Sequence, residues 1–259
     1  MRCALLQMCS GVEPQANADA VAGALEGVDA DFVLTPEMTP LLQRDSDALR
    51  ASVRGEADTL APYAALARAH GIHLLLGSAA VLKPDGRIAN CSVLLGPTGE
   101  VLARYDKMHL FEARLPGGES YREADSYCAG KTPVTAHIGD MSIGLSICYD
   151  LRFPALYRGY GRKGTDMISA PSAFTRATGR AHWLTLLRAR AIETGAWVLA
   201  PAQGGHHADG RRTWGRTAAI SPWGEVAGLL DHDRPGLLAV DVTRKAVEDA
   251  RARIPAWRQ

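Results

Sequence analysis

Short apolar runs alternate with helix-like stretches from one end of the chain to the other, and this alternation constrains the fold class more than any other feature. Residues 3–8 read as an apolar first strand, and the Ala-rich residues 16–25 read as a helix. Residues 32–34 form a short strand ending at Thr35-Pro36. A helix is predicted over 59–69. Asp58 can cap it, Leu60, Tyr63, Ala64 and Ala67 share one face, and Gly71 can stop it. Strands are predicted at 73–77, 81–83, 89–95 and 101–105, with Pro84-Asp85-Gly86 as a hairpin turn. Further strands fall at 134–137, 142–147 and 167–170. A helix starts near Pro154, and another carries Trp183, Leu187 and Ala191 before Gly195. Strands at 197–201, 217–221, 226–230 and 237–241 and a helix over 243–253 complete the pattern. Residues 107–133 have no clear period and contain Pro116, Gly117, Gly118 and Gly130, so they read as a long surface segment. The pattern predicts one α/β domain over residues 1–259, with mixed sheets and helices outside.

Charge and cysteine usage narrow the function classes. With 29 basic and 28 acidic residues the net charge is +1, so nothing points to nucleic acid or an anionic membrane. No stretch of about 18 apolar residues is present to span a bilayer. The first ten residues lack the pattern of a signal peptide. Five cysteines, at 3, 9, 91, 128 and 148, are scattered without a CxxC pair, which argues against a disulfide framework or a zinc knuckle. Free thiols suit a reducing, cytoplasmic setting.

Three polar residues stand at the ends of apolar runs. Cys148 follows the run 142–147, where a strand-to-helix turn can expose a sulfur and nearby backbone N–H groups can meet an oxyanion; the alternative is a small buried core residue. Glu37 follows 32–34 and is either a general base or an exposed loop glutamate. Lys107 follows 101–105 and either stabilises a thiolate and an oxyanion or is a surface lysine. Arg152, four residues past Cys148, is either a bidentate carboxylate clamp or an arginine paired with a nearby carboxylate. Phe174 and Thr178 are candidate pocket walls or core packing. His206 and His207, adjacent in a glycine-rich loop over 204–207, face different ways in an extended chain and make a poor metal pair. Arg190 and Glu193, three apart on one helix, are expected to form a scaffold ion pair.

The segments Thr35-Pro36-Glu37-Met38, Asp106-Lys107-Met108-His109-Leu110-Phe111 and Ser146-Ile147-Cys148-Tyr149-Asp150-Leu151-Arg152-Phe153-Pro154 resemble the signature blocks of the nitrilase, or carbon-nitrogen hydrolase, superfamily. The resemblance continues through Pro171-Ser172-Ala173-Phe174-Thr175, Ala202-Gln203 and Ser221-Pro222-Trp223-Gly224 and covers in effect the whole chain. It implies a four-layer α-β-β-α sandwich, no cofactor or metal, and a homodimer or higher homo-oligomer formed through helical faces. It also implies a Glu37-Lys107-Cys148 triad acting through a thioester, with the Tyr149 N–H helping at the oxyanion. A second catalytic glutamate is implied between the Lys and the Cys; this role is carried to Glu123, with Glu112 and Glu119 as rivals.

Within the superfamily the blocks look most like the branch of deaminated-glutathione amidase and omega-amidase, which implies hydrolysis of the side-chain amide of a small 2-oxo acid. Tyr149, Arg152, Phe174 and Thr178 would then bind substrate. The alternatives keep the triad and change the substrate to N-carbamoyl compounds or aliphatic amides. Action on nitriles is disfavoured because Tyr149, not tryptophan, follows the nucleophile. A non-catalytic binding protein on the same fold is disfavoured because all three triad residues are present.

Overall fold

Side chains along a strand alternate between the two faces of its sheet, and here both faces are buried. The computed structural model describes residues 1–114 and 120–258. In the strand Arg2–Gln7, Leu5 joins Leu34, Leu75, Leu94 and Tyr105 on one face, against Ile143, Leu145 and Met167 of a second sheet. Ala4 and Leu6 join Val33, Leu74 and Leu76 on the other face, against Val21, Leu25, Leu60 and Tyr63 of the helices Pro14–Leu25 and Glu56–His70. Burial on both sides explains why these strands read as continuous apolar runs and not as alternating ones.

The first sheet runs in the order Gly236–Asp241, Arg2–Gln7, Phe32–Leu34, His73–Leu82, Ile88–Leu95, Val101–Asp106. The second runs Val226–Leu229, Ala218–Ile220, Trp197–Ala200, Met167–Ser169, Met141–Leu145, Thr135–Ile138. Each has three parallel strands at its centre and antiparallel strands outside them. Tyr157, Tyr160, Trp183 and Leu187 of the helices Pro154–Arg162 and Arg176–Thr194 cover the outer face of the second sheet. The result is the α-β-β-α sandwich that the resemblance implies. No described helix is long and apolar enough to cross a membrane.

Several local expectations change. The helix predicted over 59–69 starts at Glu56 with Gly55 at its N-cap, so Asp58 lies in its first turn, where a negative charge suits the helix dipole, and does not cap it. Gly71 does end that helix, in the left-handed conformation at φ 64. The runs at 73–77 and 81–83 are one strand, His73–Leu82, which passes through an irregularity between Leu76 and Ala79. A short helix, Ser46–Ser52, has no counterpart in the pattern; the Asp45 side chain caps it by accepting from the N–H groups of Asp47 and Ala48. Within 107–133, Glu112–Arg114 pairs with Ser120–Arg122. The expected loop at 204–207 begins instead with a strand, Gly204–His206, paired with Arg212–Trp214. Three-residue strands carrying charged side chains leave no periodic trace. His206 is exposed, whereas buried His207 bonds through Nδ1 to the Ser10 carbonyl at 2.9 Å and through Nε2 to Thr213 Oγ1 at 2.7 Å.

Candidate active site

Three strand ends bring Glu37, Lys107 and Cys148 to one cavity. Glu37 follows Phe32–Leu34. Its approach is fixed by Gly77, whose N–H donates to Thr35 Oγ1 at 3.0 Å. A Cβ on Gly77 would collide with the carbonyl oxygens of Thr35 and Pro36, so the close crossing just before Glu37 requires glycine. Lys107 follows Val101–Asp106, and its N–H donates to the Asn90 carbonyl at 2.8 Å. Cys148 follows Met141–Leu145 and opens the 3-10 helix Cys148–Arg152 at φ 46, a conformation rare for a side-chain-bearing residue.

Hydrogen bonds hold that strained turn in place. The Cys148 N–H donates to the Pro171 carbonyl at 2.9 Å. The buried Asp150 carboxylate accepts from the Ile147 N–H at 2.9 Å, the Tyr105 hydroxyl at 2.7 Å and the His109 N–H at 3.0 Å. Asp150 thus ties the cysteine turn to the segment that carries Lys107. The N–H of Tyr149 lies in the first turn of the 3-10 helix, where geometry provides no acceptor within the helix.

The electrostatic centre is Lys107. Its Nζ donates to Glu37 Oε1 and to Glu123 Oε2, each at 2.8 Å, with its side chain only 2% exposed. Glu123 also accepts from the Phe111 N–H at 2.7 Å, and Glu37 Oε2 accepts from the Ala173 N–H at 2.9 Å. Burial works against the lysine charge, but Glu123, Glu37 and Cys148 outweigh it and hold the ammonium well above its ordinary pKa. Burial, followed by the Glu37 charge, pushes the Cys148 thiol well up, against the pull of Lys107. Cys148 therefore rests as a thiol, and its proton must leave as the sulfur attacks.

Asn90 escapes a reading from sequence. Its Nδ2 donates to Glu37 Oε1 at 3.1 Å and to Glu123 Oε1 at 2.9 Å, so one amide bridges both carboxylates. Both partners only accept, which fixes the orientation of the amide. Asn90 Oδ1 is then left buried without a partner, a local cost of about 1–3 kcal/mol. The only sign in the sequence is one amide inside the apolar strand Ile88–Leu95.

The remaining candidates divide. Glu123 lies on Lys107, whereas Glu112 is exposed on the short strand Glu112–Arg114, with its backbone carbonyl accepting from the Tyr149 hydroxyl at 3.3 Å. Glu119 lies outside the described residues. Tyr149, Arg152, Phe174 and Thr178 all line the cavity. Arg152 has no carboxylate partner among the described residues; its Nη1 is 3.3 Å from His182 Nδ1, and its guanidinium sits over the rings of Tyr149 and Phe174. Phe174 is wall and core at once, packed on Trp183 with centroids 5.0 Å apart. Arg190 and Glu193 form the expected ion pair at 3.0 Å.

The sequence matches the carbon-nitrogen hydrolase family over residues 2–252. The chain belongs to that family. It is 35% identical over 259 residues to a deaminated glutathione amidase of Yersinia enterocolitica, covering 97% of this chain and 90% of that one. It is 36% identical over 236 residues to the bovine protein of that name, covering 88% and 71%. Among solved structures, the NitFhit protein of Caenorhabditis elegans superposes with a TM-score of 0.86 at 32% identity, over 99% of this chain and 64% of that longer one. The amidase from Nesterenkonia superposes with a TM-score of 0.81 at 27% identity over 98% of each chain, in a structure showing acrylamide added at the active-site cysteine. As a carbon-nitrogen hydrolase the chain is a hydrolase acting on C–N bonds.

Proposed function

We propose that this chain is a cysteine-dependent amidase that hydrolyses the side-chain amide of a small 2-oxo acid, either deaminated glutathione or 2-oxoglutaramate. The observation that carries the reading is one buried ammonium shared by Glu37 and Glu123 beside Cys148, in a cavity where Arg152 has no carboxylate partner among the described residues. The resemblance to deaminated glutathione amidases supports the same substrate class.

Cys148 attacks the amide carbon as its thiol proton passes to Glu37. The oxyanion is met by the Lys107 ammonium and the Tyr149 N–H. Glu37 then gives its proton to the departing nitrogen, the C–N bond breaks, and a thioester remains on Cys148. Water attacks the thioester with Glu37 again taking a proton, and the thiol is restored as the acid leaves. Glu123 is not in that proton path. It holds the Lys107 ammonium together with Glu37 and keeps it aimed at the reacting carbon. Arg152 takes the substrate carboxylate in a two-pronged bond, with Phe174 and Thr178 as walls.

Residues 1–259 act as one catalytic unit, and two copies pair through helical faces. Support for pairing comes from an exposed apolar patch of Ile192, Trp223 and Ile254, in which Ile192 packs near Gly224 and Arg253 covers the Trp223 ring. Product release from a panel of deaminated glutathione, 2-oxoglutaramate, N-carbamoyl amino acids and simple amides tests the substrate. Preferential turnover of the first two is expected; turnover of only the others would discard the 2-oxo acid.

A further inference from the structure

Lys107 stands between two residues that reach the same buried carboxylate. Just before it, the Tyr105 hydroxyl donates to Asp150 Oδ2 at 2.7 Å and accepts from the Met108 N–H at 3.2 Å. Just after it, the His109 backbone N–H and ring Nδ1 both meet Asp150 Oδ1, at 3.0 Å and 2.6 Å. The Ile147 N–H completes the set on Oδ2 at 2.9 Å. Each oxygen thus takes two bonds, and a carboxylate oxygen accepts, so ring Nδ1 carries the proton in the 2.6 Å contact. Asp150 is fully buried, and the His109 ring is the only basic side chain bonded to it among the described residues.

The same ring has a second hold on the cysteine turn. It lies flat on Phe153, with centroids 3.7 Å apart and planes 10° from parallel. Phe153 closes the 3-10 helix Cys148–Arg152 at its C-cap, and Cys148 opens that helix at φ 46. A side-chain-bearing residue keeps such a conformation only where its surroundings over-determine it. One imidazole therefore grips the short helix twice, through Asp150 and through Phe153, while its backbone continues the segment that carries Lys107. His109 lies outside the lining of the cavity, so whatever it does for the reaction passes through other residues.

We infer that His109 is a positioning residue: its imidazole, acting through Asp150, sets the Cys148 sulfur against Lys107 and Glu37. This rests on the reading of Cys148 as the nucleophile and not on the choice of amide. Loss of the Nδ1–H bond leaves a buried carboxylate one donor short and frees the strained turn to relax. A displacement of the sulfur by about 1 Å is enough to slow attack by roughly a hundredfold.

Two variants separate the two holds. His109→Phe keeps an aromatic ring against Phe153 and removes the bond to Asp150. His109→Asn does the reverse, because its amide nitrogen stands where Nδ1 stood. His109→Phe is expected to lower kcat by roughly a hundredfold, with KM within about threefold of wild type. Alkylation of Cys148 by iodoacetamide without substrate, read by mass spectrometry of its peptide, should slow by roughly tenfold or more. His109→Asn should return kcat to within roughly fivefold of wild type, although its Tm falls with the lost stack. A near-wild-type kcat and alkylation rate in His109→Phe, with or without a lower Tm, would overturn the inference. Equal losses in the two variants would overturn it as well, since ring bulk and not the bond would then be the cause. Should His109→Phe fail to fold, His109→Leu takes its place under the same criteria. Wild-type silence on every amide, with Cys148 alkylation still dependent on the His109 bond, would sink the substrate reading and leave the positioning role standing.

Discussion

The base and the rim of the cavity are built on opposite terms. At the base, Lys107, Glu37, Glu123 and Asn90 are bound to one another at 2.8–3.1 Å, with all but Glu123 buried. At the rim, Arg44 and Arg212 stand exposed without ion pairs among the described residues. A charge at the base interacts in a low-dielectric setting, so removing one member leaves others unpaired and costs heavily. A charge at the rim is screened, and its loss is felt only by a ligand that carries the opposite sign. Base substitutions should therefore change turnover and pH dependence, and wall or rim substitutions should change selectivity.

The largest expected effect is at the sulfur. Cys148→Ala should lower amide hydrolysis by roughly four orders of magnitude or more while circular dichroism shows the fold retained. Activity within tenfold of wild type would break the account. Asn90→Leu comes next: it keeps the bulk and removes both donors, so kcat should fall by roughly a hundredfold. A kcat close to that of wild type would make the Asn90 bridge between the two carboxylates dispensable. For Arg152→Ala, KM should rise roughly tenfold or more for carboxylate-bearing substrates and far less for neutral amides; equal effects on both would remove the clamp. Gly77→Ala should destabilise by about 1–3 kcal/mol through its clash with Thr35 and Pro36, read as a lower Tm.

The smallest effect is a slope in stability with pH. Burial pushes the Cys3 thiol up to about 12 from 9.0, and Cys148 is raised in the same direction. The native state thus keeps these protons where the unfolded chain has lost them. Their contribution is full below pH 9 and drains away as pH rises above it. The Tm should fall from pH 9 toward 12, and Cys3→Ala should flatten that fall; an unchanged slope in the variant would assign it elsewhere.

What was legible in the sequence follows the same division. The buried strands announce themselves because burial on two faces demands continuous apolar runs, and Glu37, Lys107 and Cys148 stand out as polar residues at the ends of those runs. Glu123 is implied by the resemblance and not by pattern, since its segment has no period; its contacts with Lys107, Asn90 and the Phe111 N–H separate it from exposed Glu112. Asn90 was illegible because its role depends on two carboxylates brought from 53 and 33 residues away. The helix Ser46–Ser52 and the strand Gly204–His206 are too short for a periodic signal. Arg44 and Arg212 belong to no motif in the sequence, and only the fold places both on the lining of the Cys148 cavity.

The claim at the centre is that Cys148 carries the acyl half of the substrate as a thioester. Rapid acid quench during turnover of deaminated glutathione, followed by mass spectrometry of the peptide containing Cys148, tests it most directly. The account predicts an adduct equal in mass to the 2-oxo acyl group on Cys148, absent from Cys148→Ala and lost on treatment with hydroxylamine. Steady turnover with Cys148 unmodified at every quench time, together with an active Cys148→Ala protein, would contradict it.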